Sequence, residues 1–292
     1  MRIGTRGSQL AQWQAAWVRD RLANRGVSTE IVIIETRGDA EVDRPLHELE
    51  GKGFFTKEIE DALLAGRIDV AVHSLKDLPT ELPHGLALAA VPERHDAREA
   101  LVGGTRLADL PPGARVGTSS LRRITQVRYL RPDLQVVPLR GNVPTRLRKV
   151  ERGDGCDAAL LALAGLERLS LGERATPVDP FEVMPAPGQG ALGLEIRAGD
   201  HATLDALRPL ADAASAQAVA AERALLAALG GGCQAPVAAW VAERRLFGRV
   251  TAADGAVQLT ASATIEAARP EAAGEAVARL LEADGAASLL AR

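Results

Sequence analysis

The first half of the chain alternates short apolar segments with segments in which apolar residues recur at helical spacing. Leu10, Trp13 and Trp17 share one helical face, whereas the segments 30–36 and 68–74 are short and largely apolar. Parallel strands need a crossover connection, which is usually a helix. This alternation therefore predicts βαβ units around a mainly parallel sheet, and so an α/β protein.

A second alternation of the same kind follows the first. The charged segment 91–100 separates the two, and the segment 184–197, rich in Pro and Gly and then strand-like, indicates a return crossing towards the first unit. We therefore expect a first domain over residues 1–92 plus about 190–208. The second domain is expected over residues 96–186.

The remaining residues, 212–292, are richer in Ala and show a different pattern. Helical spacing covers 215–229, and Asp254-Gly255 between two apolar alternating segments is typical of a hairpin turn. A last helix is expected over about 271–282. This part predicts a third, small α+β domain.

Composition excludes several classes of function. Aromatic residues make up 3% of the 292 residues and the net charge is −3, which disfavours base-stacking surfaces and polyanion binding by the chain as a whole. No apolar segment is long enough to span a membrane, and the first ten residues do not resemble a secretion signal. We expect a cytoplasmic protein.

Cysteine and histidine residues are scattered singly along the chain. Cys156 and Cys233 lie far apart without a CxxC pair, which is typical of free thiols, and the histidines do not stand at metal-ligand spacing. No metal site is expected. Cys156 is interpreted as a buried structural thiol.

Positive charge concentrates between Arg115 and Lys149, where eight arginines and one lysine face a single acid, Asp133. Arginine binds carboxylate and phosphate with two parallel hydrogen bonds, and ligands of open α/β sheets collect at the carboxyl ends of strands. An anion site is therefore expected for Arg122, Arg123, Arg140 and Arg146. An ordinary solvated surface is the interpretation for Arg128, Arg131 and Arg148. A polycarboxylate fits this cluster better than nucleic acid, because no aromatic residues or basic tail accompany it.

Two strand ends carry further candidates. Ser74, Lys76 and Asp77 follow an apolar strand directly, where a carboxylate can stabilise a developing cation or move a proton. Asp77 as an ordinary turn residue is the alternative. Near the N-terminus, Ser8 is expected to cap a helix, and Arg6 beside it would make that helix start an anion site.

Cys233 comes directly after Gly230, Gly231 and Gly232, at the end of a predicted helix. Glycines let the backbone leave a helix with positive φ and approach a ligand closely. The alternative is a helix C-cap followed by a small buried cysteine. The negative end of the helix dipole disfavours a thiolate here, so a reactive Cys233 would need nearby arginine or a strongly electrophilic partner.

Taken together, these stretches resemble the porphobilinogen deaminase family over nearly the whole chain. The motifs that carry the resemblance are "GTRGSQLAQWQ", "TRGD", "GKGFFTKE", "DVAVHSLKDLP", "VGTSSLRR", "RGNVPTR", "LALAGLERL", "PGQGALGLE" and "GGGCQAPVAA". The resemblance implies three domains, of which the first two are similar to a two-domain periplasmic-binding-protein-like fold. It also implies head-to-tail condensation of four porphobilinogen molecules into hydroxymethylbilane, with loss of ammonia, on a dipyrromethane cofactor.

The resemblance also implies a role for each matching residue. Asp77 matches the catalytic aspartate, and Cys233 matches the cysteine that holds the dipyrromethane through a thioether. Further cofactor contacts are implied for Lys76, Asp77, Thr118, Ser120, Arg122, Arg123 and Arg146. Substrate contacts are implied for Arg6, Ser8, Lys52, Ser74, Arg140, Arg168 and Gln189. Glu48 and Glu50 make the segment 37–55 more acidic than the family pattern, which leaves the loop contacts open.

The partners implied are the small-molecule substrate porphobilinogen, with neither nucleic acid nor membrane, and the chain is expected to be a monomer. A cytoplasmic solute-binding module for a small polycarboxylate is the alternative, because the arginine cluster alone fits it equally well. The third domain and Cys233 behind its glycines do not fit that alternative. Nucleic-acid binding through the segment 115–149 is a third possibility, disfavoured by the overall charge.

Overall fold

The computed structural model describes residues 1–36, 56–232 and 235–290. The strands are β1 (Arg2–Thr5), β2 (Glu30–Ile33), β3 (Val70–Ser74), β4 (Leu86–Ala90), β5 (Glu99–Val102), β6 (Arg115–Gly117), β7 (Gln135–Val137), β8 (Ala158–Ala162), β9 (Thr176–Pro177), β10 (Leu192–Arg197), β11 (Val237–Ala242), β12 (Arg245–Thr251) and β13 (Gln258–Thr264). The helices are α1 (Gln9–Ala23), α2 (Lys57–Leu64), α3 (Leu121–Leu130), α4 (Val143–Glu151), α5 (Leu163–Arg168), α6 (His201–Leu207), α7 (Ala213–Ala228), α8 (Glu271–Ala283) and α9 (Ala286–Leu290). A short 3-10 turn, Leu75–Asp77, follows β3 directly.

The first sheet has the strand order β2-β1-β3-β10-β4. Strand β1 runs parallel to β2 and β3, whereas β10 is antiparallel to both of its neighbours, so β4 points the same way as the first three. Helix α1 covers one face through Val18 and Leu22, and α2 covers the other through Ile59 and Leu63. The inserted strand β10 comes from far along the chain, as the Pro- and Gly-rich segment before it indicated.

The second sheet, β7-β6-β8-β5-β9, repeats this pattern. Strand β6 is parallel to β7 and β8, and β5 is antiparallel to β8 and β9. Apolar cores again lie on both faces, and Cys156 is buried in one of them as expected. Each sheet thus has four strands in one direction and a single antiparallel insertion, which confirms the expected α/β class, with mixed sheets.

Two segments join the domains that these sheets form. The first crossing segment, residues 91–98, links β4 to β5, and the second, residues 178–191, links β9 to β10. They touch each other: the His95 N–H donates to the Gly190 carbonyl at 3.2 Å, and Gln189 Nε2 donates to the Ala97 carbonyl at 2.9 Å. Gly190 has φ +86°, and a Cβ there would lie 2.5 Å from the His95 carbonyl oxygen, so only glycine allows this close crossing.

The third domain is an antiparallel sheet, β11-β12-β13, covered on one face by α7 and α8. The hairpin turn between β12 and β13 contains Asp254 and Gly255, as predicted, and Gly255 has φ +80°. Helix α7 ends with the N–H of Gly230 donating to the Ala227 carbonyl and that of Gly231 to the Leu226 carbonyl, the Schellman pattern. The α+β expectation is therefore confirmed.

Two local features differ from what the sequence pattern predicts. The pattern of residues 156–166 predicts a buried strand that ends in a turn, but the strand ending at Ala162 continues into α5, because Leu and Ala favour helix strongly once β8 has ended. Thr56 stands where a helix cap is predicted, but it already has helical dihedrals, and its side chain makes no capping hydrogen bond. Ser8 and Asn142 do cap their helices, accepting from the N–H groups of Ala11 and Thr145.

Candidate active site

The Leu75–Asp77 turn places its side chains at the carboxyl end of β3. Leu75 is fully buried, and its N–H donates to the Ala191 carbonyl at 3.0 Å, so the turn is fixed to the second crossing segment. Lys76 Nζ donates to Gln189 Oε1 at 3.3 Å on that same segment. Ser74 is bonded to Gln14 of α1, at 2.9 Å from the Gln14 amide nitrogen. Backbone and amide contacts hold this wall of the cleft.

The opposite wall comes from the second domain, where Arg122 and Arg123 open α3. Both are about 5% exposed, and both donate to one buried carboxylate: Arg122 Nη2 lies 2.6 Å from Glu99 Oε1, and Arg123 Nη2 lies 2.7 Å from Glu99 Oε2. Burial alone would raise the pKa of Glu99, but Arg123 and Arg122 lower it to about 2. Glu99 is therefore ionised and neutralises one of the two arginines.

This pairing changes the interpretation of Arg122. Its Nη1 donates to the Met184 carbonyl at 2.6 Å, so the guanidinium is bonded to the protein on two sides and joins α3 to β5 and to the second crossing segment. Arg122 is therefore not the open anion site that its position in the sequence predicted. Among the arginines expected to be solvated, Arg131 also differs, since it binds Asp133 and three backbone carbonyls.

Unsatisfied donors remain in the same wall. The Nε atoms of Arg123 and Arg168 are buried and lack a hydrogen-bond partner. Arg168 Nη2 donates to the Gly190 carbonyl at 2.6 Å, and its guanidinium carbon lies 5.8 Å from the centre of the Trp13 ring. Since buried polar groups are normally paired, these two donors indicate a place for an acceptor that a ligand brings.

A cavity of about 80 Å³ lies between the two walls. Ser74 and Lys76 line it from the first domain, and Arg123, Arg146 and Arg168 line it from the second. A water molecule occupies about 30 Å³ in the liquid, so the enclosed volume admits a carboxylate group, whereas the body of a larger ligand must lie in the open part of the cleft.

The electrostatics of this cavity favour an anion. Burial, and then the charge of Arg123, lower the pKa of Lys76 to about 8, while Asp77 opposes this shift. Burial also lowers the pKa of Arg146 to about 10, with Arg123 and Arg140 adding to the effect, and burial lowers that of Arg168 to about 10. Burial therefore disfavours the charged form of all three side chains, and repulsion from Arg123 adds to this for Lys76 and Arg146, a state that a bound carboxylate relieves.

The turn between β6 and α3 completes the second wall. Thr118 is buried, and its Oγ1 accepts from the Ser120 N–H at 3.2 Å. Ser120 is the N-cap residue of α3 by position, but its hydroxyl makes no capping bond. Arg140 lies half-buried three residues after β7, and Arg146 Nε donates to the Gly141 carbonyl at 2.7 Å.

Other predicted residues fall at the cleft edge or outside the described residues. Arg6 and Ser8 lie between β1 and α1, both half-buried, so Ser8 serves as helix cap at a place where an anion could also bind. Lys52 and Cys233 lie outside the described residues, as do Glu48 and Glu50. Gln189, expected to contact substrate, is fully buried and bonded to Lys76 and Ala97.

Helix α7 connects the third domain to the cleft through its two charged residues, Glu222 and Arg223. Glu222 is fully buried, forms two hydrogen bonds with Arg94 at 2.8 and 2.9 Å, and accepts from the Gly188 N–H at 2.8 Å. Arg223 donates to the carbonyls of Leu78, at 2.9 Å, and Pro79, which directly follow Asp77. Sequence reasoning missed both residues, although adjacent opposite charges in an otherwise uncharged helix were a visible signal.

Within residues 1–36, 56–232 and 235–290, no group of three metal-ligating side chains lies close enough to hold a metal ion. The same residues contain no helix that is both long and apolar enough to span a membrane.

Two sequence profiles match the chain. The profile described as "Porphobilinogen deaminase, dipyromethane cofactor binding domain" matches residues 1–205, and "Porphobilinogen deaminase, C-terminal domain" matches residues 216–283. The porphobilinogen deaminase of Syntrophotalea carbinolica is 51% identical over 300 residues, which cover 100% of this chain and 95% of that protein. The porphobilinogen deaminase of Roseiflexus castenholzii is 50% identical, and the match covers 98% of this chain and 97% of that protein.

Solved structures with a similar chain path include a nutrient binding protein from Burkholderia cenocepacia bound to methionine. It is 13% identical, with a TM-score of 0.44, and the match covers 71% of this chain and 90% of that one. A periplasmic substrate-binding protein of an ABC transporter from Coxiella burnetii is 14% identical, with a TM-score of 0.43, 72% of this chain and 91% of that one being covered.

Proposed function

Since the chain belongs to the porphobilinogen deaminase family, we propose that the cleft between its first two domains is the active site, with Asp77 as the catalytic residue. The chain is a transferase of tetrapyrrole biosynthesis that condenses porphobilinogen on a dipyrromethane cofactor. The observation that carries the proposed site is the cavity in which Lys76 from one wall faces Arg123, Arg146 and Arg168 from the other.

The residues present fit a dipyrromethane group. Each pyrrole unit made from porphobilinogen carries an acetate and a propionate, and the wall offers two buried, unpartnered guanidinium Nε donors and a volume that admits a carboxylate. When bound, the group supplies the primer on which further pyrrole units are added. We assign its carboxylates to Arg123 and Arg146, with Lys76, Thr118 and Ser120 at its edge and its thioether to Cys233.

Arg122 takes a supporting role in this assignment. Arg122 and Arg123 each donate to Glu99 and to one backbone carbonyl, that of Met184 or of Leu160. Arg123 differs because it lines the cavity and keeps a buried Nε without a partner, so we assign the ligand contact to Arg123 and the positioning of α3 to Arg122.

Asp77 acts on the substrate. As ammonia leaves the aminomethyl carbon of porphobilinogen, positive charge develops on the pyrrole, and a carboxylate at the turn stabilises it while accepting the pyrrole N–H. The proton released when the new carbon–carbon bond restores the aromatic ring can pass to the same carboxylate. Lys76 and Arg146 are close enough for the charge of Asp77 to act on their pKa values, which supports its place among them.

Substrate contacts are assigned to residues at the open side of the cleft. Arg6, Ser8 and Arg140 lie half-buried at strand ends, and Arg168 offers its unpaired Nε. Ser74, bonded to Gln14, and Gln189, bonded to Lys76, act by holding their neighbours in place. Lys52 keeps its assignment by family pattern alone.

Further parts of this proposal concern organisation and location. We propose domains over 1–92 plus about 190–208, 96–186 and 212–292, a monomer, a cytoplasmic location, and neither nucleic acid nor a membrane as partner. The slight acidity of the whole chain supports the last point. Passive solute binding is not favoured, because the matched C-terminal domain has no part in it.

The test is the intact mass of the denatured protein, measured beside a Cys233→Ser variant. An excess equal to two porphobilinogen units less two ammonia molecules, absent from the variant, supports both the cofactor and its attachment. A protein that keeps the mass of the bare chain after incubation with porphobilinogen, and releases no ammonia, contradicts the proposal.

A further inference from the structure

A cluster of buried titratable side chains lies behind the first sheet, on the side away from the cleft. It consists of Glu60 from α2, His73 from β3 and Glu195 from β10, which are 7%, 5% and 0% exposed. His73 Nε2 lies 3.0 Å from Glu195 Oε2. Successive residues of a strand face opposite sides, so Ser74 meets α1 and the cleft while His73 meets α2. We call these three residues the buried acid–histidine cluster.

The cluster has more acceptors than donors. Glu60 Oε1 and Glu195 Oε1 are buried without a hydrogen-bond partner. Within the part of the chain that the structure describes, Glu195 forms an ion pair with His73 alone, and neither lysine nor arginine pairs with Glu60. Two buried carboxylates beside one imidazole cost least in free energy when the cluster retains a proton, because an unpaired buried charge is strongly unfavourable.

Burial and the groups that face Glu60 together favour its protonated form. Burial raises its pKa, and so does the carboxylate of Glu195 from β10, with a smaller contribution from Asp61 on its own helix. The Thr56 hydroxyl and His73 from β3 act in the opposite direction but do not cancel the effect. The folded protein therefore holds a proton in this cluster at pH values where the unfolded chain has lost it.

The cluster is connected directly to the Leu75–Asp77 turn. His73 is paired in register with Gly193 of β10, and the contact with Glu195 joins β3 to β10 on the face opposite the cleft. Two residues further on, the Leu75 N–H donates to the Ala191 carbonyl. The turn that carries Lys76 and Asp77 is thus held on one side by the crossing segment and on the other by the cluster.

We propose that Glu195 and Glu60 are positioning residues for the proposed active site, and that with His73 they form a proton-dependent brace behind the Leu75–Asp77 turn. With its proton, the brace holds β3 against β10 and α2. Without it, the buried carboxylates of Glu60 and Glu195 repel each other, and the turn loses its support. This inference rests on the proposed function, in which Asp77 must stand at a fixed place relative to the substrate.

The experiment compares Glu195→Gln and Glu60→Gln with Asp61→Asn, a charge removed from the exposed side of α2, where Asp61 pairs with Lys57. For each holoenzyme, kcat and KM for porphobilinogen are measured from mildly acidic to alkaline pH, together with Tm and the intact mass. We expect Glu195→Gln to carry cofactor and to lose about tenfold in kcat with little change in KM, since small misplacements of a reacting group cost rate. Asp61→Asn should keep the wild-type kcat, KM and intact mass, and it should alter the pH dependence less than Glu60→Gln does, because Asp61 makes only a small contribution to the raised pKa of Glu60.

The pH dependence gives the second readout. Because the folded-state pKa of Glu60 is raised, the wild type loses stability as pH rises from the ordinary carboxyl range through that raised value. Glu60→Gln removes this loss, so its Tm relative to the wild type should increase with pH over that range, and the fall in kcat over the same range should flatten. This variant keeps the His73–Glu195 contact and carries the test if Glu195→Gln does not fold.

The inference is overturned if Glu195→Gln and Glu60→Gln reproduce the wild-type kcat and the pH profiles of kcat and Tm. A wild type that neither carries the cofactor nor turns over porphobilinogen would instead defeat the proposed function. The two failures are therefore distinguishable.

Discussion

The two walls of the cleft are built on sheets with the same strand pattern, yet they hold their functional side chains by different means. The Leu75–Asp77 turn of the first wall is fixed by a backbone hydrogen bond and by amides from α1 and the second crossing segment. In the second wall, Arg122 and Arg123 are fixed by a buried carboxylate, Glu99. A turn that must present one carboxylate needs no counter-charge, whereas neighbouring buried guanidinium groups do.

This difference predicts that substitutions in the first wall mainly lower turnover, whereas substitutions in the second wall mainly lower stability. In the first wall, Asp77→Asn should leave Tm within a few degrees of the wild type and lower turnover about a hundredfold or more, because the amide supplies no negative charge to the developing cation. Ammonia release and Tm, measured on the same holoenzyme preparation, check this. A variant that retains near-normal turnover would contradict the role given to Asp77.

In the second wall, Glu99→Gln should act mainly on stability. It leaves Arg122 and Arg123 buried without a counter-charge, which costs about 3–5 kcal/mol. The matched control is Asp133→Asn, which breaks the pair with Arg131 at a carboxylate that is 40% exposed and should therefore cost much less stability. Denaturant unfolding of both variants measures the difference, and equal values would contradict the comparison.

Glu99 also predicts an acid limit to stability. Its folded-state pKa of about 2 lies below the ordinary value, so the folded state binds this proton less tightly than the unfolded chain. The stabilisation is fully present above the ordinary carboxyl pKa and is lost as pH falls through that value towards 2. The unfolding free energy of Glu99→Gln should accordingly fall less steeply with acid than that of the wild type.

The third domain connects the walls, and Arg223 tests whether that connection matters. Arg223→Met keeps the apolar stem but leaves the carbonyls of Leu78 and Pro79 without their charged donor. We expect a loss of about 1–3 kcal/mol in stability and a several-fold lower kcat, because the segment after Asp77 is released. Arg279→Met, an exposed arginine of α8, is the control and should change neither.

Sequence periodicity was sufficient to predict most of the fold. The alternation of strands and helices, the hairpin at Asp254-Gly255 and the glycine end of α7 depend on local interactions, which a short window of sequence contains. The helix after Ala162 was missed because an apolar Ala- and Leu-rich segment fits strand and helix equally well. The burial on both sides of β8 decides between them, and that is a tertiary property.

The position of a candidate side chain was predictable where it directly follows a strand end, as with Lys76 and Asp77. It was not predictable where two distant residues make a pair. Nothing near Glu99 in sequence indicates that it meets Arg122 and Arg123, and nothing near Glu222 indicates Arg94. Such pairs depend on how α3 and α7 dock, so composition shows the charges but not their partners.

The smallest expected effect concerns Lys76, the cation that stands on the first wall but faces the second. Its pKa of about 8 lies below the ordinary lysine value, so the folded state binds this proton less tightly than the unfolded chain. The resulting cost to stability is fully present below pH 8 and disappears as pH rises from there towards the ordinary value. Lys76→Met should remove this gain, so Tm of the wild type relative to the variant should rise slightly over that range.

In the same range KM of the wild type for porphobilinogen should increase, because a neutral amine no longer attracts carboxylates. The Lys76→Met variant should show a higher KM that does not depend on this ionisation. A wild-type KM that stays constant through pH 8 would mean that the arginines of the second wall bind the carboxylates without Lys76, and that the first wall contributes Asp77 alone.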